Sequence, residues 1–185
     1  DTQLTPGQRD YLETVSQSAE TLLLIVNDIL DFSKIEAGKL ELDLISREMS
    51  TLLDESVRRN ARLAAQKSTQ VQLEAVPAGS VLVDPVRIRQ VLDNLISNAV
   101  KYAPRASLVQ VRAHPGSKCW RVEVQDQGPG ITSADRERLF QDFARLSARP
   151  TGGEKSTGLG LSISRRVVQA HGGEIGVDSP PAGGA

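Results

Sequence analysis

The chain has 185 residues, 39% hydrophobic and 24% charged, with 22 Lys+Arg against 23 Asp+Glu and a net charge of −1. This is a globular composition with room for one ordinary domain and an additional element. It excludes a disordered chain, and no basic run marks a nucleic-acid or anionic-membrane surface. The single Cys119 excludes an intrachain disulfide and suits a reducing compartment. The longest apolar run, 22–26, falls far short of the ~20 residues needed to span a bilayer.

The first predicted element is a long helix. Thr5-Pro6-Gly7-Gln8 reads as a capping box, with Thr5 as N-cap, Pro6 at the first helical position and Gln8 reaching back. Leu12, Val15, Ala19, Leu22, Val26 and Ile29 follow in alternating steps of three and four, the seam of a coiled coil or helical bundle. Leu23, Ile25 and Leu30 widen that face, so the spacing predicts an intermolecular or hairpin partner helix outside this sequence. Gly38 ends the helix.

Residues 40–44 alternate Leu and acid and predict a strand; 50–67 predict a helix with Leu52, Leu53, Val57, Ala61 and Ala64 on one side. Residues 70–76 and 81–83 read as strands, and Asp84-Pro85 starts a helix that runs to about Ala103, before Pro104. Residues 108–113 and 120–125 predict an antiparallel pair joined by His114-Pro115-Gly116-Ser117. Residues 127–157 read mostly as loop, with a short helix near 133–140, followed by a helix over 158–170 and a strand over 174–177. The order is mixed α and β, one sheet with helices packed on it.

Three motifs carry chemistry. On the helix after Asp84, Asn94, Asn98 and Lys101 fall at i, i+4 and i+7 and share a face extended by Gln90 and Arg87, while Ile88, Leu92, Leu95 and Ala99 point toward the core. An Asn carboxamide oxygen suits Mg2+, which keeps waters and substrate phosphates in its shell, and a Lys one turn away offers phosphate a point charge. The competing reading is a solvated polar face, although Asn is unfavourable inside a helix. Asp126-Gln127-Gly128-Pro129-Gly130 is good turn chemistry, and the Asp126 carboxylate is also able to accept a hydrogen bond from an adenine amino group. Ser156-Thr157-Gly158-Leu159-Gly160-Leu161 opens a helix whose free N–H groups favour phosphate, with Thr157 as N-cap. It is neither a P-loop, since Leu159 stands where Lys is needed, nor a dinucleotide fingerprint, since Ile163 stands where Gly is needed. The histidines, His114 and His171, read as structural, and no Cys/His cluster or activated nucleophile is evident.

These motifs together resemble the core of a bacterial sensor histidine kinase of the hybrid type. Residues 93–102 resemble its N box, 126–130 its G1 box, 139–145 its F box, 157–161 its G2 box, and 31–40 the segment joining the dimerisation and catalytic domains. The resemblance covers nearly the whole chain. It implies a two-layer α/β sandwich with a mixed sheet, the Bergerat ATP-binding fold shared with gyrase, Hsp90 and MutL, preceded by the long N-terminal helix. Residues 1–40 would be the second helix of the dimerisation hairpin, and 41–185 the catalytic domain without its last strand.

The resemblance also implies ATP and Mg2+ as cofactors, with Asn98 at the metal and Asn94 and Lys101 at the phosphates. Asp126 would meet adenine within the turn of Gly128 and Gly130; Tyr102 and Ile131 would line the base pocket. Thr157, Gly158, Leu159, Gly160 and Leu161 would bound the phosphates. Phe143 belongs to the same pocket, Arg145 would contact the γ-phosphate, and 145–157 would form a lid; Ala144 stands where the F box often has an aromatic residue. The phosphoacceptor histidine of the family is absent, so this chain alone is expected to bind ATP without phosphorylating itself, the acceptor lying upstream. The implied partners are ATP/ADP, a response-regulator receiver domain and a second copy through the N-terminal helix, with no nucleic acid and no direct membrane contact, in the cytoplasm. The alternatives are a non-catalytic regulatory module that dimerises or binds nucleotide, and an ATP hydrolase like the gyrase relatives. Such hydrolases use Glu as general base where Asn94 stands here, and an amide is a poor proton acceptor.

Overall fold

The computed structural model describes residues 4–144, 146–151, 157–178 and 184–185, in two compact units, Asp1–Lys39 and Leu40–Ala185. The first unit is helix α1 (Pro6–Glu36). Its capping box forms as the sequence predicts: Gln8 N–H donates to Thr5 Oγ1 at 3.3 Å and Thr5 N–H to Gln8 Oε1 at 3.0 Å. The helix closes at Gly38, whose φ of 65° lets Lys39 N–H reach back to the Lys34 carbonyl at 2.9 Å. Along the predicted seam Leu12, Val15, Leu22, Val26 and Ile29 are 44–64% exposed, an apolar stripe on the helix surface.

The second unit contains β1 (Ile45–Glu48), α2 (Met49–Gln66), β2 (Gln70–Leu73), β3 (Ser80–Val83), α3 (Pro85–Tyr102), β4 (Leu108–Pro115), β5 (Trp120–Gln125), α4 (Ser133–Arg136) and α5 (Gly160–Ala170). A three-stranded mixed sheet runs β2-β4-β5, parallel then antiparallel, and β1 pairs antiparallel with β3 in a separate two-stranded sheet. Val109, Val111 and Ala113 alternate inward along β4 and meet α2 and α3, where Met49, Leu52, Leu53, Leu92 and Ile96 complete the core. Burying side chains of this size contributes about 1.5–3 kcal/mol each, which fixes the two helices against one face of the sheet.

Several expectations need correction. The single sheet is two among the described residues: β2 stops at Leu73, just before a stretch containing Pro77, which has no N–H for a ladder, and β3 turns to β1 instead. The strand expected over 40–44 starts at Ile45, because the register Ile45↔Val83 uses the end of β3 and the chain beyond it turns into α3. The helix expected over 133–140 ends at Arg136, and 174–177 carry no strand, although Ile175 and Val177 are half-buried as their alternation implies. Ala61 is exposed, because the buried stripe of α2 runs Leu52, Leu53, Ser56, Asn60, Ala64 and leaves Ala61 one step round the helix. On α3 Leu95 is half-buried, and Val91, Ile96 and Val100 are buried in its place.

Candidate functional site

The site is built on α3. Its start is fixed by Asp84, the N-cap, whose carboxylate accepts from Val86 N–H at 3.0 Å and Arg87 N–H at 3.1 Å. The same carboxylate accepts from Asp43 N–H at 3.2 Å. Burial works to raise the Asp84 pKa, but these three N–H groups and the charge of Arg87 outweigh it and hold the carboxyl below its ordinary value of 3.8. Asp84 N–H donates to His171 Nε2 at 3.0 Å, and His171 Nδ1 lies 2.8 Å from the Val167 carbonyl, to which it donates in the matching tautomer. His171 is therefore structural, as its position at a helix end implies. It ties the end of α5 to the start of α3.

The polar stripe of α3 meets the N-terminal half of α5. Asn94 Nδ2 donates to Ser164 Oγ at 2.9 Å, and Asn98 Nδ2 donates to Asn94 Oδ1 at 3.3 Å. A Cβ on Gly160 would lie 2.5 Å from Asn94 Oδ1, so glycine lets the first turn of α5 approach α3 this closely with Asn94 in its present orientation. The relay of amides spends the Asn98 nitrogen inside the protein and commits its Oδ1 to acceptor work, the chemistry a hard cation needs. Among the described residues no group of three or more His, Cys, Asp or Glu could hold a metal, so a cation here would draw its remaining ligands from water and substrate. Neighbouring Asp93 faces α2 instead: Asn60 Nδ2 donates to it at 3.3 Å, and burial pushes its carboxyl up against the opposing pull of Ser56, Arg59 and Arg89.

The Asp126 turn abuts the other end of α3. Gly128 N–H donates to Asp126 Oδ1 at 2.6 Å, the Asx turn that the sequence offered as one of two readings. A Cβ on Gly128 would lie 2.8 Å from that oxygen and 3.0 Å from the Tyr102 carbonyl, so the turn is pressed against the last residue of α3. Burial pushes the Asp126 carboxyl above its ordinary value, partly opposed by the N–H groups of Gly128 and Ala185. The last two residues pair alongside, Gly184 N–H to Gly128 O at 2.9 Å and Asp126 N–H to Ala185 O at 3.0 Å. Tyr102, Gly130 and Ile131 are half-buried.

The second glycine turn differs in one respect from the expectation. Thr157 Oγ1 accepts from Leu159 N–H at 3.2 Å and so braces the turn, while Leu159 is the N-cap of α5 and caps it with no side chain. Gly158, at φ 74°, packs on the backbone of Phe143 and Ala144. Phe143 itself is at φ 57° and 61% exposed. Leu159 is buried, and Gly160 and Leu161 half-buried. Arg145 lies outside the described residues, as does 152–156 of the expected lid. Ahead of that stretch, Ser147 donates through its N–H and its hydroxyl to Asp135, and Arg166 on α5 pairs with Asp142 at 2.7 Å.

The structure thus joins Asn94 and Asn98, in the C-terminal half of α3, to Gly160 and Ser164 of α5, and sets Asp126 and Gly128 against Tyr102 at the end of α3. A family model described as "Histidine kinase-, DNA gyrase B-, and HSP90-like ATPase" matches residues 83–185, and one described as "His Kinase A (phospho-acceptor) domain" matches 1–38. The chain belongs to the histidine kinase branch of this ATPase family. It is 44% identical to the sensor histidine kinase GacS of Pseudomonas protegens over 99% of its length, and 40% identical to the histidine-protein kinase BarA of Escherichia coli K12 over 100%. The chain spans 21% of each of those proteins. Among solved structures, full-length ShkA in complex with AMPPNP superposes with a TM-score of 0.81 at 33% identity, covering 99% of this chain and 38% of that one. The mycobacterial sensor histidine kinase MprB superposes at 0.68 and 28% identity, covering 76% of this chain and 92% of that one. The fold is the mixed α/β fold of the histidine kinase catalytic domains.

The sequence reading missed some residues that shape this site. Ser164 carries no signal of its own in the sequence, and its role as acceptor for Asn94 depends on two helices meeting 70 positions apart. Lys67, only 3% exposed at the end of α2, sends its ammonium to the C-terminal end of α3, and Thr151 meets it there. A lysine at a helix end looks like ordinary surface in a sequence; only the three-dimensional approach of α2 to α3 gives it away.

Proposed function

We propose that residues 41–185 bind Mg-ATP, and that in the assembled protein they transfer its γ-phosphoryl group to a histidine carried outside this chain, for relay to an aspartate of a response-regulator receiver domain. The observation that carries this reading is the fit of α5 against α3. Gly160 and Ser164 seat Asn94, Asn94 orients Asn98, and the uncapped N-terminus of α5 stands beside them. Asn98 would hold Mg2+ through Oδ1, with waters and phosphates completing the shell; when bound, the ion neutralises charge on the β- and γ-phosphates. Asn94 and Lys101 would position the phosphates, Gly158, Leu159, Gly160 and Leu161 would bound them, and Arg145 would meet the γ-phosphate. Asp126 would accept from the adenine amino group, between Tyr102 and Ile131.

In the transfer itself a histidine ring nitrogen attacks the γ-phosphorus as the bond to the β–γ bridging oxygen breaks, and ADP leaves. The chain's contribution is placement and charge, since little covalent work falls to the protein. The segment matched by the phospho-acceptor model, residues 1–38, contains no histidine; His114 sits within strand β4, opposite Arg121, and His171 is engaged on both ring nitrogens. The acceptor is therefore assigned to another part of the protein, and the exposed stripe of α1 to a partner helix and a second copy. No described helix is long and apolar enough to cross a membrane, and a cytoplasmic setting suits an ATP-dependent kinase. Hydrolysis as the main activity is disfavoured by Asn94, an amide already bonded to Ser164 and Asn98.

Calorimetric titration with a non-hydrolysable ATP analogue and Mg2+ tests the proposal. The wild-type chain should bind, and Asn98→Ala and Asp126→Asn should each bind at least tenfold more weakly, a difference of about 1.4 kcal/mol. Absence of binding, or equal binding by both variants, sinks it. A non-catalytic nucleotide-binding module would bind equally well but yield no phosphohistidine when the segment preceding this chain is added.

A further inference from the structure

Lys67 is the most enclosed cation among the described residues, only 3% exposed. Its ammonium faces the carbonyls of Val100, Lys101 (2.8 Å) and Ala103 (3.1 Å) and the hydroxyl of Thr151. An ammonium has three N–H donors, so these four acceptors share them in a tight cradle. The carbonyls belong to the last turn of α3 and its C-cap, groups a helix leaves without internal partners and at which a positive charge is favoured. Thr151 joins the same carbonyls. Its N–H donates to the Lys101 carbonyl at 3.0 Å, and its hydroxyl donates to Ala103 O at 2.8 Å while accepting from Lys67. The backbone is committed as well, since Ala106 N–H donates to the Lys67 carbonyl at 3.1 Å. Lys67 is therefore a buried fastener between three pieces of chain: the end of α2, the end of α3 and the segment at Thr151.

The turn it fastens carries Lys101 and Tyr102, proposed above for the phosphates and the base. We infer that Lys67 is a positioning residue for the nucleotide: its ammonium, joined to Thr151, closes the end of α3 and sets the direction in which Lys101 and Tyr102 are presented. This rests on the Mg-ATP reading. Without the ammonium, the Val100 carbonyl loses this donor and the carbonyls of Lys101 and Ala103 keep only those of Thr151, so the last turn of α3 is held less firmly. Lys67 would touch no ligand; it acts through α3.

The test uses this chain with two probes, a non-hydrolysable ATP analogue and ADP, each with Mg2+, on Lys67→Met, Thr151→Val and the double variant. Thr151→Val keeps the side-chain shape and leaves Lys67 its three carbonyls, so it folds even where Lys67→Met does not. Thr151→Val should weaken the ATP analogue by roughly threefold or more while weakening ADP less, because the triphosphate brings the extra charge that Lys101 meets. Lys67→Met should lose at least as much, and the double variant no more than Lys67→Met, since the two groups act as one unit. The inference is overturned if Thr151→Val binds both nucleotides like wild type or loses both in equal measure, or if the losses of the two single variants multiply in the double. Should Lys67→Met fail to fold, the ratio of the two affinities in Thr151→Val decides alone. A wild-type chain that does not bind the analogue, or Asn98→Ala binding unchanged, would strike instead at the Mg-ATP reading.

Discussion

Asn94 Oδ1 stands 2.5 Å from the point where a Cβ on Gly160 would be, and that amide oxygen also receives the Asn98 side chain. Two residues 66 positions apart thus share one contact on which the orientation of the proposed metal ligand depends. Gly160→Ala would force α5 away from α3 or rotate Asn94 out of its relay. Alanine is the better helix former by about 1 kcal/mol, so the change in folding stability should be small or partly offset. Binding should not be spared. Titration with the ATP analogue should show a loss of about tenfold or more, and wild-type affinity in this variant would show that the close approach is irrelevant to the ligand.

Asp126 predicts a separation of stability from binding. Burial raises its carboxyl above the ordinary value of 3.8 in the folded chain. In the window between the unfolded and the raised folded value the native state holds the extra proton, so its contribution to stability declines as pH rises through that window. Above it a fixed penalty remains, the cost of keeping a carboxylate half-buried. Asp126→Asn keeps an oxygen for the Gly128 N–H and removes the charge, so its melting temperature at neutral pH should equal or exceed that of wild type. A hydrogen bond to a charged acceptor contributes about 1.5–3 kcal/mol, so affinity for the analogue should fall by roughly 10- to 100-fold. Wild-type affinity should weaken as pH falls through the raised value, and the Asn variant should show no such limb. A melting temperature well below wild type in Asp126→Asn would overturn the account.

The legible parts of this chain are those whose signals are local. The capping box at Thr5, the Asp84-Pro85 start of α3 and the β4–β5 hairpin are each written within a few residues; the first two form where the sequence puts them, and the hairpin forms with β4 running two residues further, through His114 and Pro115, than expected. The stripe Asn94, Asn98 also forms where the sequence puts it, although the sequence could not say whether it faced water or a neighbouring helix. What the sequence could not supply is partnership at a distance. Asp84 meets His171 across 87 positions, and Lys67 meets the end of α3 across 33 to 36. The split of the strands into two sheets is of the same kind: residues 40–44 alternate well enough for a strand, but β3 offers no ladder beyond Val83. Asp126 had two sequence readings, a turn and a base contact. The turn is formed through Gly128, and it leaves the base contact to the binding experiment.

His171 supplies a stability prediction that the site residues do not. Its ring receives Asp84 N–H and meets the Val167 carbonyl, bridging α3 and α5. His171→Ala leaves that part-buried N–H without its acceptor, a cost of about 1–3 kcal/mol in chemical denaturation. Because the bridge sits at the start of α3, away from Lys101 and Tyr102, the folded fraction should bind the analogue within about threefold of wild type, under 1 kcal/mol. A large loss of affinity with unchanged stability would mean that His171 belongs to the site after all.

Asp84 gives the acid limb of stability. Burial opposes ionisation, yet the N–H groups of Arg87, Asp43 and Val86 together hold the carboxyl below 3.8 in the folded chain. The sign is opposite to that of Asp126: the stabilisation is present above the unfolded value and is lost as pH falls through the depressed folded value. Asp84→Ala removes the N-cap of α3 and should cost about 1–2 kcal/mol at neutral pH. Asp84→Asn, which still offers an oxygen to the helix N–H groups, should cost less there and lose less on acidification. Denaturant titrations of the three chains from neutral pH to below 3.8 should therefore converge toward the acid end, wild type falling toward the Ala variant. If the gap between wild type and Asp84→Ala stays constant over that range, the carboxylate is not what secures the start of α3, and the bond from Asp84 N–H to His171 must be carrying it instead.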